Sequence, residues 1–343
     1  MTGFAAKVIA WQKRHGRHDL PWQGTRDPYT IWIAEVMLQQ TQVATVIPYY
    51  QRFLKRFPDV AALATADLDS VLAHWSSLGY YSRARNLHRA ARIVVLEHGG
   101  RFPAEFTAVS ALPGIGRSTA AAICVFAFGE RRAILDGNVK RVFARHFAVG
   151  GYPGDKRVEA QLWRRAERLL PKSGIGAYTQ GLMDLGAGVC TRGQPECGRC
   201  PLRGSCRARQ RGLTGKLPTP RPRKALPHRA TTMLVLQHAG EILLEKRPAA
   251  GIWGGLWCFP EVTADEPVEQ ACRRRFGARV GAVAAMPAVE HGFTHFSLTI
   301  QPQRVRVSGL EARAGEPGTI WLSVDDAQSA AVPAPVKRIL ASL

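Results

Sequence analysis

The stretch 112-LPGIGRST-119 decides how this chain is read. It runs into the small apolar segment 120-AAAICVFAF-128 and is followed by 134-ILDGNVKRV-142. A Pro-Gly-x-Gly loop entering a helix turns sharply, because both glycines reach backbone angles closed to other residues. The turn is expected to leave the N–H groups of residues 114–118 unpaired at the positive end of the following helix, a ready place for a phosphate. Ser118 stands where a serine can cap that helix. By itself the motif is equally an ordinary turn between two helices, so the rest of the chain has to arbitrate.

Charge arbitrates first. Among 343 residues, 47 Lys+Arg stand against 26 Asp+Glu, giving a formal net charge of +21. An excess of that size marks a polyanionic partner, and nucleic acid is the commonest. With a short helix before it at 107–111, the loop then reads as a helix–hairpin–helix over about 107–128 that grips a DNA backbone without reading bases. The length suits two domains, and 46% hydrophobic with 21% charged residues describes a globular chain. The start MTGFAAKVIAWQKRHGRHD has no apolar run long enough for a signal sequence, and no stretch approaches a membrane span. A cytoplasmic protein with reduced thiols is expected, and its seven cysteines then suggest metal or cluster binding over disulfides.

Up to about residue 208 the chain reads as successive helices. Asp27-Pro28 caps a helix carrying 31-IWIAEVMLQQ-40. An apolar stripe through Val43, Val46, Ile47, Tyr50, Phe53, Leu54 and Phe57 marks the next. Ser82 opens a helix over 83–98 that Gly99-Gly100 stop, and 138–147, 156–169 and 175–188 are similar. Between Cys197 and Gly240 there is no Asp or Glu, and 217-LPTPRPRKALP-227 is proline-broken, so 209–228 reads as a basic linker. Residues 229–343 follow as an α+β domain. It holds a hairpin over 231–248 turning at Ala239-Gly240, further strands at 296–306 and 319–324, and helices near 266–276 and 333–342.

Two carboxylates and four cysteines carry chemistry. Glu35 lies in the mostly apolar helix 31-IWIAEVML-38, where desolvation would raise its pKa and let it hold a proton near neutrality. Asp136 precedes Gly137-Asn138 at a helix start, where the dipole favours the anion. Singly, the first could be a salt-bridged surface glutamate and the second a plain cap. Cys190, Cys197, Cys200 and Cys206 are spaced C-x6-C-x2-C-x5-C with no histidine inside the loop. Four thiolates suit zinc or an iron–sulfur cluster, although zinc sites usually show two C-x2-C knuckles. Cys124, Cys258 and Cys272 read as small core residues.

The pieces 35-EVMLQQTQVATVIPYY-50, 77-SLGYYSRARNLHRAA-91, 112-LPGIGRSTA-120, 135-LDGNVKRV-142, the cysteine loop and 252-IWGGLWCFP-260 span both domains. In them the chain resembles the adenine DNA glycosylases of the MutY type, members of the helix–hairpin–helix glycosylase superfamily with a C-terminal Nudix-like domain. The resemblance implies an all-α glycosylase domain over 1–208 with a [4Fe–4S] loop at 190–206, and a Nudix-like lesion-recognition domain over 229–343. It implies one cluster on the four cysteines, a monomer associated with the nucleoid, and duplex DNA carrying adenine opposite 8-oxoguanine or guanine as substrate. Glu35 would be the acid/base and Asp136 the stabiliser, or transient covalent partner, of the sugar, with Ser118 and Asn138 in support. Pro113, Gly114, Gly116, Thr41 and Lys140 would meet DNA. Gln40 and Tyr80 would wedge into the base stack, and Gln180 would line the adenine pocket.

The resemblance also sets departures. Related endonuclease III-type enzymes carry a lysine where Ser118 stands, and a hydroxyl forms no Schiff base, so a monofunctional glycosylase is expected. Lys140 is close enough in sequence to Asp136 to trap the sugar adventitiously. A working Nudix helix needs paired glutamates for magnesium, and 269-EQACRRRFG-277 has Arg274 and Arg275 there, so hydrolysis is not expected. Phe293, Thr294 and His295 match the family's Phe-Ser-His lesion loop, with Thr for Ser. The rival readings are an endonuclease III-type pyrimidine glycosylase/lyase and a lesion-binding protein without catalysis.

Overall fold

The computed structural model describes residues 3–222, 225–263, 265–311 and 318–343. The chain divides into two compact units. The first comprises Met1–Thr65 with Asn86–Arg223, and the second Ala66–Arg85 with Lys224–Leu343.

The first unit is helical, and its helices follow the capping and periodicity of the sequence. Pro28–Met37 starts at Asp27, whose carboxylate accepts the N–H groups of Tyr29 and Thr30, with proline at the first helical position. Val43–Arg56, Phe106–Ala111 and Arg117–Phe128 follow, the last ending on left-handed Gly129. Gly137–His146, Lys156–Arg168 and Ile175–Asp184 complete the half, and a π-helical turn at Leu185–Val189 continues the last of them. Their core gathers Val8, Ala121, Leu135, Val139, Phe143, Leu162, Leu182 and Leu185.

In the second unit β1 (His228–His238) and β2 (Glu241–Lys246) form the expected hairpin. Ala239 and Gly240 turn it with φ of 49° and 84°, the left-handed pair a tight hairpin needs. β3 (Trp257–Cys258) pairs with β2 and β4 (Glu261–Val262) with β1. β5 (Ala278–Ala285) and β6 (Val289–Gly292) run antiparallel to β7 (Ser297–Leu310), and β8 (Thr319–Ser323) borders β2. β1 and β7 are parallel, so the sheet is mixed. Helix Val268–Phe276 covers a core of Leu234, Leu236, Leu243, Cys272 and Val305.

The sequential partition is corrected in two places. Residues 66–85 pack with the C-terminal unit, although they precede the linker by well over a hundred positions. The segment 209–222, expected as part of a free linker, is stitched to the first unit: Arg145 Nε donates to the Leu217 carbonyl at 2.7 Å, and the Gly151 N–H to Thr219 Oγ1 at 3.1 Å. Among the described residues no helix is long and apolar enough to cross a membrane.

Candidate active site

The hairpin loop is tighter than its sequence suggests. Gly114 has φ 80°, and a Cβ there would lie 2.8 Å from that of Asn86. The Ile115 N–H, expected to stand free, bonds back to the Leu112 carbonyl at 3.1 Å. The following helix is capped by Gly116 without a side-chain bond, so Ser118 is not its cap. Its hydroxyl instead accepts the Leu135 N–H at 2.9 Å, tying the hairpin to the residue beside Asp136. Gln39, which sequence reasoning passed over, donates to the Gly114 carbonyl and to Thr119 Oγ1, each at 3.3 Å. Next to it, Gln40 is exposed at φ 57°, and the Thr41 N–H bonds the Leu38 carbonyl.

Glu35 lies on the wall of a cavity of about 550 Å³, a size that suits a small organic ligand. Ile31, Leu38, Val43, Phe126 and Met183 give the cavity its apolar lining, with Gln180 and His18 among its polar groups. Burial, and then the negative charge of Asp136, push the Glu35 carboxyl from its ordinary 4.5 up to about 8. Asp136 is treated differently. Its carboxylate accepts the Val139 N–H at 2.8 Å and the Asn138 amide at 3.3 Å. Burial raises its pKa, while the Val139 N–H, Arg141 and Asn138 draw it back toward the anion. The net direction is upward, a consequence of enclosure that a helix start alone does not suggest.

Gln180 donates to Asp184 Oδ1 at 2.8 Å. Asp184 is buried and held by Arg17 through its side chain at 2.6 and 2.7 Å and through its backbone N–H at 3.0 Å. This brace spans 167 positions and leaves no mark in the local sequence. Lys140 Nζ is paired with Glu159 at 2.7 Å.

The four cysteines line one small hollow, with Arg145, Pro195, Arg203 and Arg209 around them. Arg145, 2% exposed, organises their loop: it donates to the Thr191 carbonyl at 2.6 Å, the Arg192 carbonyl at 3.1 Å and Cys190 Sγ at 3.4 Å. Among the described residues no three His, Cys, Asp or Glu side chains gather as a single ion requires. One turn earlier on the same helix, Arg141 donates to the Cys190 carbonyl at 2.7 Å, to Gly186 at 2.6 Å and to Asn138 Oδ1 at 2.8 Å. The cysteine loop and the Asp136 cage therefore share one helix.

The remaining candidates belong to the second unit. Phe293 stacks on Phe296 (centroids 4.3 Å apart) and edges His291 (4.6 Å), while Thr294 and His295 are exposed. Arg275 takes both oxygens of Glu245, at 2.8 and 2.9 Å, where a metal-binding glutamate was judged missing. Tyr80 stands in an exposed loop of this unit.

Comparison with known proteins places one family on each side of the linker, the first running through residues 66–85 as well. Residues 33–168 match the HhH-GPD superfamily base excision DNA repair proteins, and residues 231–342 match the NUDIX domain. The chain is 36% identical over 338 residues to an adenine DNA glycosylase of Buchnera aphidicola, covering 98% of this chain and 96% of that relative. It is 36% identical to the adenine DNA glycosylase of Homo sapiens, covering 99% of this chain and 73% of that relative. A solved thermostable thymine-DNA glycosylase matches it with a TM-score of 0.56 and 31% identity, over 61% of this chain and 95% of that one.

Proposed function

The chain belongs to the adenine DNA glycosylases, N-glycosylases of base excision repair, and from that premise we propose that it excises adenine mispaired with 8-oxoguanine or guanine. The observation that carries the proposal is Glu35: a carboxyl that keeps its proton up to about pH 8, on the wall of a base-sized cavity, with Asp136 close enough to repel its charge.

Adenine inside a duplex is out of reach, so the nucleotide is turned out and the base enters the cavity. Gln180, its amide nitrogen committed to Asp184, keeps its oxygen to accept from the exocyclic amine of adenine. Glu35 donates its proton to a ring nitrogen, and the electron pair of the breaking C–N bond leaves with a neutral base. The sugar carbon left behind becomes positive. Asp136, held toward its anion by Val139, Asn138 and Arg141, stabilises it until water adds to that carbon and gives its proton to the Glu35 carboxylate, leaving an abasic sugar. Ser118 offers no amine where the lyases carry one, so base release is not coupled to a Schiff base at that position and strand cleavage is not part of the reaction.

Cys190, Cys197, Cys200 and Cys206 would hold a [4Fe–4S] cluster, since four thiols spread around a hollow suit a cluster bound at its corners better than one ion. Such a cluster would supply cross-links within the loop, whose Arg192, Arg199 and Arg203 would be placed to meet phosphates. Gln40 and Tyr80 support the opened stack, Pro113, Gly114 and Gly116 grip the backbone, and Phe293, Thr294 and His295 read the base opposite. Arg275, engaged by Glu245, stands where a magnesium-binding glutamate would be needed, so this helix is not suited to pyrophosphate hydrolysis. Its role is recognition.

The test uses duplexes with adenine opposite 8-oxoguanine, guanine or thymine, scored with and without alkali. Alkali-dependent breaks at adenine opposite the first two are expected. Breaks at equal rate without alkali, or at pyrimidines, would overturn the proposal.

A further inference from the structure

Tyr80 is 45% exposed at φ 50°, in a loop where Ser77 (φ 72°) and Gly79 (φ 77°) are also left-handed. Two non-glycine residues in that region make the loop costly, so it needs support from outside itself. The support comes from distant residues of the same unit. The Ser76 hydroxyl donates to the Val332 carbonyl at 2.9 Å, in the interior. Tyr81 reaches the same carbonyl at 3.5 Å and accepts the Ser77 N–H at 3.2 Å. Arg85 donates to the Gly254 carbonyl at 2.6 Å. On the preceding helix, Asp69 receives Lys246 at 2.7 Å and the Trp257 indole at 3.3 Å.

In the first turn of the helix that follows the loop (Ser82–His98), Arg83 is only 8% exposed and lies with its guanidinium 5.4 Å from the ring centres of both Trp75 and Tyr80. It donates to the Gly79 carbonyl at 3.2 Å, which also takes the Trp75 indole N–H at 3.1 Å. The tyrosine ring is thus fixed from below by a cation, and the cation by a loop whose shape depends on two carbonyls more than 150 positions away.

We infer that Ser76 and Arg85, by grasping the Val332 and Gly254 carbonyls, are positioning residues for Tyr80. The C-terminal residues then act on the lesion base twice, directly through 293–295 and indirectly through Tyr80. This rests on the reading above that Tyr80 supports the opened stack, and takes the base opposite adenine as the one its ring meets. A purely structural role would also need these hydrogen bonds, so the test reads discrimination as well as stability.

The experiment uses the full chain with Tyr80→Ala, with Ser76→Ala plus Arg85→Met, and with all three changes. It measures the kcat/KM ratio for adenine opposite 8-oxoguanine over adenine opposite guanine, the single-turnover rate on the guanine pair, and the melting temperature. Tyr80→Ala is expected to lower the ratio about tenfold, the worth of one aromatic–base stack. The Ser76/Arg85 pair is expected to lower it about fivefold, with the guanine-pair rate within about twofold and no further loss once Tyr80 is absent. Ser76→Thr, which keeps the hydroxyl, should preserve the ratio, and Ser76→Ala alone serves if the pair does not fold. An unchanged ratio, or an equal loss with and without Tyr80, overturns the inference. So does an equal slowing of both substrates. An intact ratio in Tyr80→Ala itself brings down the reading of Tyr80, and this inference with it.

Discussion

Glu35 and Asp136 in the first unit, and Glu245 and Glu261 in the second, are two pairs of part-buried carboxylates that meet different neighbours. Glu245 receives Arg275 through both oxygens, and Glu261 receives Arg247 at 2.8 Å. Among the described residues no cation pairs with Glu35 in this way, and the charged neighbour that acts on it is another acid. Glu245 and Glu261 are tied to guanidinium groups and hold structure, whereas Glu35, desolvated and set beside a like charge, keeps a proton it can transfer. Enclosure acts first on Glu35 and the neighbouring acid second, while Asp136, equally enclosed, has Arg141, Asn138 and the Val139 N–H to draw it back toward the anion.

The most severe way to break this contrast is Glu35→Gln. Base release in single turnover is expected to fall about 10²–10⁴-fold, the usual worth of a general acid, and wild-type release would end the interpretation. The same group fixes a pH dependence. Its proton is present below about 8, so the wild-type rate should fall about tenfold per unit above that value, and a rate flat to pH 10 would count against it. Between its ordinary 4.5 and about 8, the unfolded chain has released a proton that the folded chain retains. Glu35 therefore favours the fold fully below the lower value and loses that contribution as pH rises toward the upper. Glu35→Gln should make the protein more stable at pH 7, by about 1–3 kcal/mol in denaturant titration.

A smaller effect probes the Asp136 side. Gly186 lies so close to Asn138 that an added Cβ would sit 2.5 Å from that residue's own Cβ. Gly186→Ala should push Asn138 away from Asp136 and Arg141 and slow base release roughly 10–100-fold, as small displacements of a reacting group do. An unaltered rate would show that the cage around Asp136 does not need Asn138 in place.

The mildest test falls on the structural pair. Arg275→Met strands Glu245, which is partly solvated, so the loss of stability should be about 1–2 kcal/mol, below that of a fully buried pair. Release of adenine opposite guanine should stay within about twofold of wild type. A melt identical to wild type would mean that the bidentate pairing contributes nothing to the fold.

Much of the first unit was legible locally. Asp27-Pro28, the Val43–Phe57 stripe and the Pro-Gly-x-Gly turn each carry their cause within a few residues, so the helices lie close to where the sequence places them. β5 escaped notice because 278-ARVGAVAA-285 is small, largely exposed and without clear alternation, and its pairing with β7 supplies what its own pattern lacks. Ser118 was misassigned as a cap because its hydroxyl serves Leu135, seventeen residues away, and no local rule reports that.

The amino-acid sequence by itself determined the chemistry on offer: a carboxyl in an apolar helix, an acid at a helix start, four thiols in one loop and a strongly basic surface. These follow from side-chain type and short-range periodicity, which act over one or two turns of chain. Tertiary structure alone decided that enclosure raises Asp136 as well as Glu35, that Arg141 joins the cysteine loop to the Asp136 cage, and that residues 66–85 fold with the C-terminal unit. Desolvation and hydrogen bonding between distant segments depend on what the folded chain brings together, and a linear string of residues does not contain that distance.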